Sequence, residues 1–135
     1  MAEVEGVPEK VAWVLVRDGR VLVTRNRGVD VFYFPGGKRE PGESDAETLA
    51  REIDEELQSR VDTSTMMHVG TFETRSDSDG RTEFRMICYT AEHTGPLIPS
   101  REIAESDWFG YGDRARVSSV DQMVFDALHS SGQLP

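Results

Sequence analysis

The segment from Ser44 to Gln58 constrains the fold most. Ala46, Leu49, Ala50, Ile53 and Leu57 recur at spacings of three and four, the period of a helix that buries one stripe. Ser44 with Glu47 three residues later fits a capping box, and Asp45 adds favourable charge to the first turn. Extended-looking segments lie on both sides of this helix. "KVAWVLVRDGRVLVTRNR" reads as two strands joined at Asp18-Gly19, a dipeptide suited to a two-residue hairpin because both central positions need positive φ. A shorter apolar segment, Val31 to Phe34, runs into Pro35-Gly36-Gly37.

After the helix, "MMHVGTFETR" and "TEFRMICYTAEH" read as two long strands around a polar loop, Ser76 to Arg81, with Asp79-Gly80 at its tip. "AESDWFGY" reads as one more strand, and Val117 to His129 as a closing helix with Val120, Val124 and Leu128 on one side. Neither an internal repeat nor a linker interrupts the 135 residues, a length that suits one core. The expected fold is α/β of the α+β kind, a mixed β-sheet flanked by helices in a single domain spanning residues 1–135. Three strands precede the first helix, so that helix is not a simple crossover in an all-parallel sheet.

Charge restricts partners. With 25 acidic and 15 basic residues the formal net charge is −10, which disfavours a nucleic-acid polymer or an anionic membrane as partner. A small anionic ligand stays compatible, because a divalent cation reverses the local field. The apolar run Val11 to Val16 is too short for a signal peptide or a spanning helix. Cys88 stands alone and forms neither an internal disulfide nor a cysteine-rich metal site, so a reducing cytoplasm is the expected location. The sequence leaves a homodimer open.

The acids are not scattered. On a helix Glu52, Glu55 and Glu56 fall within about a 100° sector, about 5–6 Å from one another. Such carboxylates repel, and without a counter-ion at least one resists ionising. Arg51, four residues before Glu55, offers one cation at the edge of the sector. A solvated acidic face is one reading; a hard divalent cation that turns repulsion into coordination is the other. The preceding Gly36 and Gly37 permit a close backbone approach, with carbonyls able to ligate the cation and amides able to meet an anion.

The stretch "GKREPGESDAETLAREIDEELQS" resembles the signature of the Nudix hydrolase family. Gly37, Glu43, Arg51, Glu52, Ile53, Glu55 and Glu56 stand in register with it, whereas Gln58 and Ser59 replace its final glycine and aliphatic residue. The departure bears on the helix end, where Val61 is the candidate replacement for the apolar contact. The resemblance implies a Nudix-like α/β/α sandwich and hydrolysis of a nucleoside diphosphate linked to another group, with Mg²⁺ or Mn²⁺. By the same resemblance Glu52, Glu55, Glu56 and the Gly36 carbonyl would hold metal, and Arg51 and Glu43 would orient the glutamates. Glu52 is the first choice of general base and Glu102, outside the signature, the second. Lys38, Gly37 and Arg25, with Arg27 behind them, are candidates to meet phosphates. Tyr33, Phe84 and Trp108 are candidates to stack a base, although aromatics in strands are more often core. His68, His93 and His129 show no ligand spacing.

For the substrate, the region "TFETRSDSDG" lacks the proline and the tyrosine that accompany relatives acting on ADP-ribose and on diadenosine polyphosphates. Elimination leaves a MutT-type chain converting a nucleoside triphosphate, ribo or deoxy and either ordinary or modified, to monophosphate and pyrophosphate. The alternatives are a hydrolase of ADP-ribose or a nucleotide sugar, a non-catalytic nucleotide-binding module, and a plain acidic scaffold.

Overall fold

The computed structural model describes residues 6–135. In chain order its elements are β1 (Glu9–Trp13), β2 (Val16–Arg17), β3 (Arg20–Asn26), β4 (Gly36–Gly37), α1 (Asp45–Leu57), β5 (Arg60–Val61), β6 (Met67–Arg75), β7 (Thr82–Thr90), β8 (His93–Thr94), β9 (Ile103–Phe109) and α2 (Ser119–Ser130), with 3₁₀ turns at Thr63–Thr65 and Tyr111–Arg116.

β1 is the pivot. It pairs parallel with β7 and antiparallel with β4, and β6 completes a four-stranded mixed sheet in the order β4-β1-β7-β6. Successive side chains on a strand face opposite ways. Val11 and Trp13 join a core with Leu49, Ile53 and Leu57 of α1, whereas Ala12 and the following Val14 join one with Val120, Val124 and Leu128 of α2. Helices therefore cover both faces, as a sandwich requires. Val61 sits in the α1-side core with Leu57, so it does supply the apolar contact beyond the helix end.

The Asp18-Gly19 turn forms with positive φ at both positions, 54° and 76°, but it joins β2 to β3 rather than two long strands. The chain changes sheets just after β1, where the Val14 amide donates to the Tyr89 carbonyl and the Leu22 amide to that of Leu15. β2, β3 and β9 make a separate three-stranded antiparallel sheet. Val11 to Val14 are all buried, so the run carries no alternation that would betray the break. The Val31–Phe34 segment is likewise not a regular strand. Phe32 and Tyr33 make isolated bridges to Val117 and Thr24, and the ladder to β1 begins only at Gly36, past the donor-less Pro35.

The α1 capping box is present, with reciprocal bonds between Ser44 and Glu47. At the other end Gln58 takes the left-handed conformation (φ 55°, ψ 35°) and its amide donates to the Asp54 carbonyl. The helix thus closes as a glycine would close it, with strain that glycine avoids. Ser59 is buried, and its hydroxyl sits 2.8 Å from His93 Nδ1 and 3.2 Å from the Thr94 carbonyl. These bonds satisfy a polar residue at an otherwise apolar position. Among the described residues no helix is long and apolar enough to cross a membrane.

Candidate active site

The site begins where β4 lies against α1. Gly36 has φ 143° and packs so closely that a Cβ there would run into the Val11 carbonyl. Gly37 faces the helix instead, and a Cβ on it would stand within 2.6 Å of Glu52 Oε1. Both glycines are needed for space rather than for a turn. Their reward is contact: the Gly36 amide donates to Glu56 Oε1 at 3.0 Å.

Arg51 braces the acids. Its Nε and Nη2 donate to the two oxygens of Glu43 at 2.7 and 2.9 Å, Nη1 reaches Glu52 Oε2 at 3.0 Å and Glu55 Oε1 at 3.4 Å, and Nη2 also binds the Lys38 carbonyl. The Arg51 bonds, helped by the Glu40 amide and the Thr48 hydroxyl, pull the Glu43 carboxyl down to about 2. Arg51 is itself held firmly charged, above all by Glu43. Glu43 and Arg51 form a bidentate clamp that ties the loop to the helix, one step removed from the cleft.

Glu56 lies on the buried stripe of α1 and is only 6% exposed. Burial pushes its carboxyl up to about 8; Lys10 and the Gly36 amide offset part of that, and Glu52 and Glu102 add to it. Burial also raises Glu52, against the pull of Arg51. Two acids of the same helix therefore bear an unmet demand for positive charge.

Glu102 reaches the site through the end of α1. The amides of Ile98 and Ser100 donate to the carbonyls of Leu57 and Glu56, and the Ser100 hydroxyl to that of Glu55. These are the carbonyls a helix leaves without partners. The loop that satisfies them then carries Glu102 to the cleft, where its charge acts on both Glu52 and Glu56.

Gly36, Gly37, Lys38, Glu52, Glu56 and Glu102 line one cleft of about 460 Å³. Glu55 does not line it and turns toward Arg51. Nor does Arg25, which pairs with Glu105 at 2.8 Å and binds the carbonyls of Asn26 and Val29. Tyr33 and Phe84 line the cleft, whereas Trp108 packs with the α1-side core under the Arg17 guanidinium.

The cleft continues into a second cavity of about 210 Å³ toward α2, and Lys10, Tyr33 and Phe84 line both. Asp121, which also lines it, is buried, with Oδ2 accepting from the Ser118 hydroxyl and Oδ1 without a hydrogen-bond partner among the described residues. Burial raises its carboxyl, and Lys10 is the chief offset. Sequence reasoning missed both Lys10 and Asp121. A signal existed: Lys10 shares strand parity with Ala12 and Val14, and Asp121 lies between Val120 and Val124 on the apolar stripe.

The donors at the acidic end are all oxygens: the carboxylates of Glu52, Glu56 and Glu102 and the Gly36 carbonyl, with Glu55 beside them. Among the described residues no three His, Cys, Asp or Glu side chains are grouped so as to hold a metal ion by themselves. An open, hard, oxygen-only set whose acids stay raised by burial despite Arg51 and Lys10 fits Mg²⁺ or Mn²⁺, which keeps waters and takes further ligands from substrate phosphates.

Comparison with known proteins follows the same line. The model of the NUDIX domain matches residues 8–123. No curated protein matches the chain in sequence. Among solved structures, the E. coli ORF135 protein is similar with a TM-score of 0.72 at 24% identity, covering 90% of this chain and 88% of that one. A MutT NUDIX hydrolase from Burkholderia pseudomallei gives 0.75 at 20% identity, covering 92% and 99%. A NUDIX hydrolase from Nitrosomonas europaea gives 0.73 at 20% identity, covering 96% and 92%. At these identities the structures speak for the fold.

Proposed function

This chain belongs to the NUDIX family and is a hydrolase acting on pyrophosphate bonds, and from that premise we propose that it converts a nucleoside triphosphate to monophosphate and pyrophosphate. The observation that carries the reading is the single cleft with two chemically distinct ends. Carboxylates and glycine backbone line one end; Met86, Val120 and Asp121 line the other, and Tyr33 and Phe84 run along both. A nucleotide has the same division. Its base is flat, apolar on its faces and polar at its edge, and its phosphates require cations.

Glu52, Glu56 and Glu102, with the Gly36 carbonyl, line the cleft and would hold Mg²⁺ or Mn²⁺; Glu55, paired with Arg51 outside the cleft, would have to turn inward to join them. A cation held there would neutralise phosphate charge and lower the pKa of a water. Glu52 takes the proton of the attacking water, since its carboxyl lies in the cleft and is held in place by Arg51 and Gly37. Glu102 is the second candidate for that task. Lys38, exposed at the cleft rim, meets the phosphates. Arg51 and Glu43 act through the helix, as positioning residues.

The test is product release from a panel of nucleotides with Mg²⁺ or Mn²⁺, with pyrophosphatase coupled in, comparing the wild type with Glu56→Gln. Triphosphate turnover that collapses in the variant is expected. A clear preference for ADP-ribose or a nucleotide sugar over every triphosphate overturns the substrate, and no turnover by folded, metal-bound protein overturns catalysis.

A further inference from the structure

Glu102 differs from the other acids of the cleft in how it is held. Glu52 is gripped through its carboxyl by Arg51, and Glu56 by the Gly36 amide. The Glu102 side chain is exposed and makes no hydrogen bond or ion pair among the described residues. An exposed glutamate keeps most of its rotamers, and ordering it as a ligand costs entropy. Only its main chain can aim it at the cleft.

Three features fix that main chain. β3 and β9 slip register beside the site: Arg25 faces Glu105 but Asn26 faces Ile103, which leaves Ala104 unpaired. A bulge of this kind re-aims the residues next to it. One step further, the Arg27 amide donates to the Glu102 carbonyl at 2.9 Å, and Arg27 Nη1 donates to the Arg101 carbonyl. Between Ser100, tied to α1, and Glu102, tied to Arg27, Arg101 takes a left-handed φ of 57°. A side chain adopts that conformation only against strain, so its surroundings must hold it there.

We propose that Arg27 is a positioning residue for the metal: by gripping the Arg101 carbonyl it keeps the strained turn in place and aims the Glu102 carboxylate at the cation. The inference rests on Glu102 as a metal-holding residue, and it takes Arg27 out of the candidates that meet phosphates. Charge alone predicts the opposite effect. A cation beside a cation site repels it, so removal of Arg27 would tighten metal binding through space.

The test is Mn²⁺ binding by the whole chain without nucleotide, read by paramagnetic resonance. Arg27→Met is expected to weaken binding about tenfold, the scale of losing a group that orients a metal ligand, and Arg27→Lys, which keeps a donor, to recover it to within about threefold. In a Glu102→Gln background Arg27→Met should have no further effect, because residues that act through one group are not additive. If Arg27→Met does not fold, Arg101→Pro, whose ring forbids positive φ, carries the same loss and the same dependence on Glu102. Mn²⁺ binding that is unchanged or tighter in Arg27→Met overturns the inference, as does a loss equally large in the Glu102→Gln background. A higher KM for nucleotide with Mn²⁺ affinity unchanged also overturns it and makes Arg27 a phosphate contact. Absence of triphosphate hydrolysis would overturn the proposed function, and the Mn²⁺ titrations would still decide the role of Arg27.

Discussion

Gly37 and Glu52 occupy one another's space: a side chain on the glycine and the carboxyl of the glutamate cannot both fit. The glycine here is a mould for the Glu52 carboxyl, since its own φ lies outside the left-handed region. Gly37→Ala is therefore expected to leave the fold intact and displace the Glu52 carboxyl. A displacement on the scale of one ångström costs roughly 100-fold in rate. Steady-state kinetics would show the loss mainly in kcat. An alanine variant with wild-type kcat would mean that Glu52 does not act from this position.

Arg51 holds three glutamates and a loop carbonyl at once. Lys places a point charge and cannot reproduce the fork. Arg51→Lys should weaken Mn²⁺ binding about 10- to 100-fold, the usual effect of losing a group that orients metal ligands, as read by paramagnetic resonance. The same clamp sets an acid limit. Glu43 is held at about 2, below its ordinary value, so its contribution to stability is complete above the ordinary carboxylate range and is lost as pH falls through about 2. Without the Arg51 fork the acid-unfolding midpoint should move to higher pH.

Glu56 behaves in the opposite sense. Its folded-state value, raised to about 8, means that the native state holds a proton that the unfolded chain has released. Stability of the metal-free protein should fall as pH rises from the ordinary carboxylate range through about 8. Glu56→Gln keeps an acceptor for the Gly36 amide and removes the buried titrating carboxyl. It should stabilise the metal-free protein at pH 7 by about 2–3 kcal/mol and flatten that slope in urea melts. His93, lowered by burial and by Arg17, costs stability only as pH falls below its ordinary range. The difference between wild type and variant isolates Glu56. A variant with the wild-type slope would assign the pH dependence elsewhere.

Gln58 closes α1 in a conformation that suits glycine. Gln58→Gly should raise stability by about 0.5–1 kcal/mol, the left-handed strain of a side chain less the extra entropy of glycine in the unfolded chain. Thermal melts would show a higher midpoint, with kcat within about twofold of wild type. A lower midpoint would mean that Gln58 makes contacts worth more than its strain.

Much of this architecture was legible before the structure. The capping box, the α1 stripe, the long β6–β7 hairpin and α2 all follow from local periodicity and turn chemistry, which are written within a few residues of one another. The break after Trp13 was not legible, because a run buried on both sides has no alternation. At the site, the signature residues announced themselves by spacing. The burial of Thr48 and Glu56 was not legible there, since a helical pattern reads polar residues as exposed unless tertiary partners are known.

The sequence by itself determined which residues α1 brings near one another, because helix geometry fixes the distance between positions three and four apart. Only the tertiary structure decided which of those acids enters the cleft. Glu56 is buried by β4, Glu55 is turned aside by Arg51, and Glu102 arrives from 46 residues away because its loop satisfies the last carbonyls of the helix. The meeting of Lys10 and Asp121 at one cavity is of the same kind. Contacts between distant segments depend on where packing and unpaired backbone groups draw the chain, and no local pattern records that.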